Sequence, residues 1–274
     1  MPSMELDEKQ LLLTREASMS SMSLGIGLTN LRRYDFVLQG YFYSGLHSLT
    51  IGIERLVKLI ILYDYQLRND GRYPTNAILK SAGHDLVHLI SAARAANRHH
   101  ACAVDDSIFD TDAIIQSVVV FLSDFATQSR YHNLDSLTGR PHRTDEPLRR
   151  WDSEICAAIV TRHYRPNPRK EREASAVAEA MESMVAVAFS SESGDPVDTM
   201  HAFVTRGLTV SIKQKYSAYY IYSIVRFLSL LLFELEHKGR FYPCLREFFK
   251  LFISDEKKWI LNKKSWNPLP PYRF

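Results

Sequence analysis

Apolar side chains recur along most of this chain at the three- and four-residue spacing of an α-helix face. Over residues 35–69 the series is Phe36, Phe42, Leu46, Leu49, Ile53, Leu56 and Ile60. That spacing predicts one long helix with a buried stripe. Ser44, Ser48 and Gly52 form a ridge of small residues on it, low enough for another helix backbone to come close. Gly71 and Pro74 end it. A second helix is predicted over residues 82–100, with Leu86, Leu89, Ile90 and Ala93 on its buried face. A third runs from near Thr111 through Ile114, Val118, Phe121, Leu122 and Phe125, ending near Arg130. Residues 131–145 carry Gly139 and Pro141 and no periodicity. They read as the longest internal loop, and loops are where function concentrates.

A fourth helix is predicted over residues 146–164, with Pro147 in its first turn, where proline is tolerated. Pro166 and Pro168 stop it and mark the best division of the chain. Residues 174–189 are Ala-rich and helical, and 190–196 read as a linker. Residues 211–237 form a helix that is apolar almost all round, the pattern of a helix buried by its neighbours. A short aromatic helix follows over 243–252. The first 30 residues, rich in Met and Ser with Gly25 and Gly27, read as an arm or a short loose helix. No strand pair is expected. The fold class is therefore all-α: residues 1–34 an N-terminal arm, 35–165 an up-and-down helical bundle, and 166–274 a second helical set with a basic tail.

Composition agrees. Only 11 Gly and 11 Pro occur in 274 residues, too few breakers for a turn-rich β-sandwich. The net charge of +3 is too mild to declare a nucleic-acid binder. It hides a polarity, because residues 173–200 hold six acids and no Lys or Arg, while the tail from His237 onward holds nine Lys or Arg against three acids. These two stretches could face each other. Cys102, Cys156 and Cys244 are odd in number and far apart, which fits a reduced, cytoplasmic setting. The N-terminus is acidic before it is apolar, unlike a signal peptide. Residues 219–233 are interrupted by Arg226 and fall short of the roughly 20 needed to cross a bilayer, so no membrane association is expected.

Familiar catalytic signatures are missing. Gly25-Ile-Gly27 lacks a third Gly and a preceding strand, and there is no GxSxG or Walker lysine. His84 and His88 share a helix face by their i,i+4 spacing, but two histidines do not complete a zinc site. They read equally as a helix cap beside Asp85 and a packing residue. No metal or cofactor is expected.

Three strings stand out together: Ser48-Leu-Thr-Ile-Gly-Ile-Glu54-Arg-Leu-Val-Lys58, then Gly83-His84-Asp85-Leu86, then Phe125-Ala-Thr-Gln-Ser-Arg130-Tyr131-His132-Asn133-Leu134-Asp135. Their order and spacing resemble the HEPN superfamily of helical bundles, over roughly residues 35–165. The resemblance implies a dimerising all-α domain. It also implies RNA or nucleotide binding, and in catalytic members a metal-independent endoribonuclease of bacterial stress or phage defence. Those members place four to six residues between an Arg and a His. Here Arg130 and His132 have one residue between them, whereas Arg94 and His99 fit the spacing. Arg130 and His132 are the first candidate pair, with Tyr131, Asn133 and Asp135 as binding residues. Arg94 and His99 are the second pair. Alternatively Arg130 pairs with Glu54 or Asp85 and the cluster is structural. The chain would then be a non-enzymatic interaction protein serving a second copy or a protein partner. Lys257, Lys258, Lys263 and Lys264 lie among Trp259, Trp266 and Tyr272. They could grip single-stranded nucleic acid by charge and stacking, or form a solvated face behind an aromatic anchor.

Overall fold

The computed structural model describes residues 6–141 and 144–267, and the protein is all-α. Helix α1 (Glu8–Leu31) starts at Asp7, whose carboxylate accepts the Gln10 N–H while the Gln10 side chain returns to the Asp7 N–H. This reciprocal cap fixes the first turn. Helix α2 (Gly40–Arg68) runs back antiparallel along α1: Gly27 meets Gly45 and Leu49, Leu24 meets Gly52, and Glu16 meets Arg55. The expected loose arm is thus a 24-residue helix seated in the fold. Its buried stripe includes Ala17, Ser20, Ser21, Leu24, Gly25, Gly27 and Leu28. Small residues interleave with Leu13, Leu24, Leu28 and Leu31 on that stripe and break up its run of large apolar positions. The same smallness lets the backbones approach, and the Ser20 hydroxyl donates to the Gly52 carbonyl at 2.8 Å.

Four helices follow: α3 (Asn76–Ser81), α4 (Leu86–His99), α5 (Ile108–Thr111) and α6 (Ala113–Asp124). The last continues without a break into a π-helical turn, Phe125–Ser129. Where an aperiodic loop was expected, α7 (His132–Leu137) forms a short helix with no buried residue. The predicted fourth helix is one run: α8 (Pro147–Arg150), a π turn Trp151–Cys156, and α9 (Ala157–His163). Next come α10 (Pro168–Met181), a two-residue antiparallel pair β1 (Phe189–Ser190) and β2 (Pro196–Val197), and α11 (Met200–Gly239). A 3-10 helix (Leu245–Phe252) and α12 (Lys257–Asn262) close the described chain. The strand pair sits where a linker was expected and is too short for an alternating pattern.

One apolar core takes residues from α1, α2, α4, α6, the α8–α9 run and α11. Phe42, Phe121, Phe125 and Trp151 are buried at its centre, and Phe109 meets Phe227 edge to face. The core therefore crosses residues 166–168. Those prolines end one helix and open the next at a position that needs no N–H donor; they do not divide the core. A smaller cluster joins Ala178, Val187, Val197 and Met200. Helix α11 is long and apolar enough by length and composition to cross a bilayer, but 67% of that apolar window is buried by the rest of the chain.

Among the described residues no ion pair joins the acidic stretch to the basic tail within the chain. Its Glu192 is buried and takes Lys213 and Arg206 of α11, both at 3.2 Å, together with the Tyr34 hydroxyl. Glu182 accepts the Met200 N–H at the start of α11. These acids are used on the nearest helix.

Candidate functional site

The three marked strings converge on one cleft of about 840 Å³, lined by Glu54 and Lys58 of α2, His84 and Asp85 before α4, and Arg130 after the π turn. On α2, Lys58 Nζ lies 2.7 Å from Glu54 Oε1, an acid-first i,i+4 pair. His84 Nδ1 lies 3.0 Å from the same oxygen. Burial tends to raise the Glu54 carboxyl pKa, but the hydrogen bonds from Lys58 and His84, with their charges, win and hold it below its ordinary value.

Asp85 caps α4. It accepts the His88 N–H at 3.0 Å and the Ser123 hydroxyl at 2.9 Å, and Ser123 Oγ accepts the Leu86 N–H at 2.8 Å. The backbone bond from His88 is the main reason that its carboxyl is held below the usual range. The chain Asp85–Ser123–Leu86 fastens the start of α4 to the end of α6. Glu16 of α1 and Arg55 of α2 pair across the cleft's edge.

Arg130 is the exception among these charges. Among the described residues it makes no ion pair, and its Nε is buried without a hydrogen-bond partner. The expectation that it joins Glu54 or Asp85 is not met: Glu54 holds Lys58 and His84, and Asp85 holds Ser123 and the His88 N–H. The guanidinium also lines a second hollow of about 400 Å³ with Tyr131, His132, Asp135 and Arg140. It therefore stands between the two spaces. It follows the π turn Phe125–Ser129, a form often found at functional positions, and Ser129 just before it meets the Thr144 hydroxyl at 2.7 Å.

His47 was not marked by sequence, yet it feels the Arg130 charge. Burial lowers its pKa first and Arg130 lowers it further. Its ring meets Phe125 edge to face at 5.1 Å. The available signal was its position seven residues before Glu54, two turns along the same face of α2. Tyr43 was also missed. Its hydroxyl donates to Glu146 at the start of α8 and so ties α2 to α8, and burial first, then Glu146, push its pKa up against a weaker opposing effect of Asn133. Asp135 pairs with Arg140 at 3.4 Å, and Tyr131 is exposed.

The second candidate pair does not converge. Arg94 is held by Asp106 at 2.8 Å and by both carboxylate oxygens of Asp110. His99 lies five residues on, about 140° around α4, with its ring against His100. An i,i+5 spacing on an unbroken α-helix separates two side chains; it does not pair them. The tail lysines do not act as one strip either. Lys263 covers Trp259 and the buried Trp266, whereas Lys257 leaves the tail for Tyr216 and Tyr219 of α11. Lys258 and Lys264 are exposed. Tyr272 lies outside the described residues.

No family model, curated protein or solved structure matches this chain.

Proposed function

We propose that this protein is an HEPN-like, RNA-binding endoribonuclease of bacterial stress or phage defence, with Arg130 as its phosphate anchor. One observation carries the reading. Three strings far apart in sequence line one cleft whose acids are engaged, while Arg130 makes no ion pair among the described residues and its Nε has no hydrogen-bond partner there. A planar guanidinium suits bidentate contact with a phosphodiester. His132, in the adjoining hollow, takes the proton of the RNA 2′-OH as that oxygen attacks phosphorus. Arg130 steadies the charge on the phosphoryl oxygens, and as the bond from phosphorus to the 5′-oxygen breaks, that oxygen takes its proton from water, leaving the phosphorus bonded to the 2′- and 3′-oxygens. Incubation with total RNA in EDTA tests this. Cleavage should persist in the wild type, vanish in Arg130→Ala and His132→Ala, and survive in Arg94→Ala. Absence of both cleavage and salt-sensitive RNA binding refutes it.

A second reading rests on a different observation. Tyr131, Leu134 and Leu137 are 63%, 60% and 82% exposed along α7, an apolar surface of the kind that marks an interaction site. In this reading the chain is a non-enzymatic partner of a second copy or of another protein. Sedimentation of the wild type beside Leu134→Asp/Leu137→Asp separates the readings. Loss of an assembly with RNA activity absent favours the interaction protein.

A further inference from the structure

A second cluster of cations and aromatic rings lies away from the Arg130 cleft, at the other end of α6. Arg130 follows the last turn of that helix, and Asp112 caps its first. Eighteen residues of helix place the two roughly 25 Å apart.

Around Asp112 three elements meet. The end of α9 supplies Arg162 and His163, and Arg165 follows it. Helix α11 supplies Tyr216, Tyr219 and Tyr220, and the first residue of α12 is Lys257. His163 lies flat on the Tyr216 ring, with centroids 3.6 Å apart and planes 4° apart. Its Nε2 is 2.7 Å from the Tyr220 hydroxyl. Lys257 Nζ sits 5.9 Å from the Tyr216 ring centre and 5.2 Å from that of Tyr219.

Two of the cations here, Arg165 and Lys257, make no ion pair among the described residues, although Asp255 and Glu256 precede Lys257 and Asp105 and Asp255 line the hollow beside Tyr219. Asp112 is a carboxylate that His163 feels, and Arg162 Nη1 already holds both its oxygens, at 2.9 and 2.8 Å. Arg165 donates to the neighbouring Tyr164 carbonyl. Lys257 has ring faces and no carboxylate among its described contacts. Burial, then Lys257, Arg162 and Arg165, lower the His163 pKa, while Asp112 opposes them weakly. All three cations therefore bear on one histidine.

The geometry points to this patch as a binding surface for single-stranded nucleic acid. Lys257 and Arg165 take backbone phosphates, and bases stack on Tyr219 and on the Tyr216–His163 pair. Phosphate charge explains the grouped cations. The half-exposed tyrosine rings give planar bases a face to stack on, as single-strand binders do. An acidic peptide would use the charge but gain little from the rings. The inference stands apart from the Arg130 cleft, since different helix ends build the two sites.

The test uses the full chain carrying Arg130→Ala, so that failure of the cleft reading leaves it intact. A short fluorescent oligouridine RNA is titrated at low salt, beside polyglutamate as an anionic control. Lys257→Glu/Arg165→Glu, two exposed positions, should weaken RNA binding at least about tenfold and lower the salt slope by about two. Tyr219→Ala should weaken RNA severalfold and leave polyglutamate unchanged. Added RNA should raise the titration midpoint of the His163 ring proton in NMR, identified by its loss in His163→Gln. Absence of RNA binding, binding indifferent to the double substitution, or polyglutamate binding as tightly as RNA overturns the inference.

Discussion

Helix α1 forms one wall of the cleft through Glu16, so its seating on α2 can be tested on its own. The perturbation is Gly52→Ala. In a helix interior alanine is favoured over glycine by about 1 kcal/mol. At Gly207 in α11 an added Cβ meets nothing within 4 Å, so Gly207→Ala should stabilise by about that amount. At Gly52 the added Cβ would lie 2.8 Å from Leu24 Cγ, 2.9 Å from its Cδ2 and 3.0 Å from its backbone nitrogen. A backbone atom cannot rotate aside, so α1 must move outward. Overpacking of this kind costs about 1–3 kcal/mol. The movement also weakens the 2.8 Å bond from Ser20 to the Gly52 carbonyl, worth about 1 kcal/mol. After the helical gain, Gly52→Ala should be destabilising by about 1–3 kcal/mol. The two Gly→Ala changes should therefore have opposite signs. Urea unfolding followed by circular dichroism reads both, at unchanged m. In a chain of this size each kcal/mol moves Tm by about 2 °C or slightly more. A Gly52→Ala protein as stabilised as Gly207→Ala would refute the packing of α1 against α2.

Other outcomes follow from the same contacts. Ser123→Ala leaves the Leu86 N–H buried without its partner and should cost about 2 kcal/mol in urea unfolding. The Glu54 carboxyl is held below its ordinary pKa. Its contribution is complete above the unfolded value near pH 4.3 and is lost as pH falls through the folded one; Glu54→Gln should therefore flatten the acid limb of a stability–pH curve. His47 has a lowered pKa. The unfolded chain thus binds its proton first, and stability should fall as pH drops below about 6.5. In Arg130→Met the NMR midpoint of His47 should rise but stay below the ordinary value, because burial is the larger cause.

Much of this fold is legible in its apolar spacing. Phe42, Leu46, Leu49, Ile53, Leu56 and Ile60 are all fully buried on α2, as their periodicity requires. Helix α1 was hidden for a physical reason: the small residues Ser20, Ser21, Gly25 and Gly27 sit buried between its leucines, and a hydrophobicity pattern does not register the burial of such residues. The candidate site was partly legible. Glu54, Lys58, His84, Asp85 and Arg130 were marked from their strings, but their meeting depends on long-range packing. Ser123 reads as one polar residue in an apolar helix, and only α4 docking against α6 gives it Asp85 and Leu86 as partners. Arg94 shows the opposite failure. Its spacing to His99 suggested a pair, but Asp106 and Asp110 lie in a later loop and helix that fold back onto it.

The distribution of charge around Arg130 then has a physical logic. Three carboxylates line its cleft, and any of them could in principle quench a guanidinium. Each is engaged elsewhere: Glu16 by Arg55, Glu54 by Lys58 and His84, and Asp85 by Ser123 and the His88 N–H. Two of these arrangements also hold helices together, so freeing a carboxylate for Arg130 would loosen α1 from α2 or α4 from α6. Burial first, then the Arg130 charge, lower the His47 pKa and so favour its neutral form. A buried Nε without a partner is costly to keep. An incoming oxyanion would offset that cost without displacing any of these bonds, and on this ground the proposed phosphate anchor is Arg130 rather than the better-spaced Arg94, which Asp106 and Asp110 already hold.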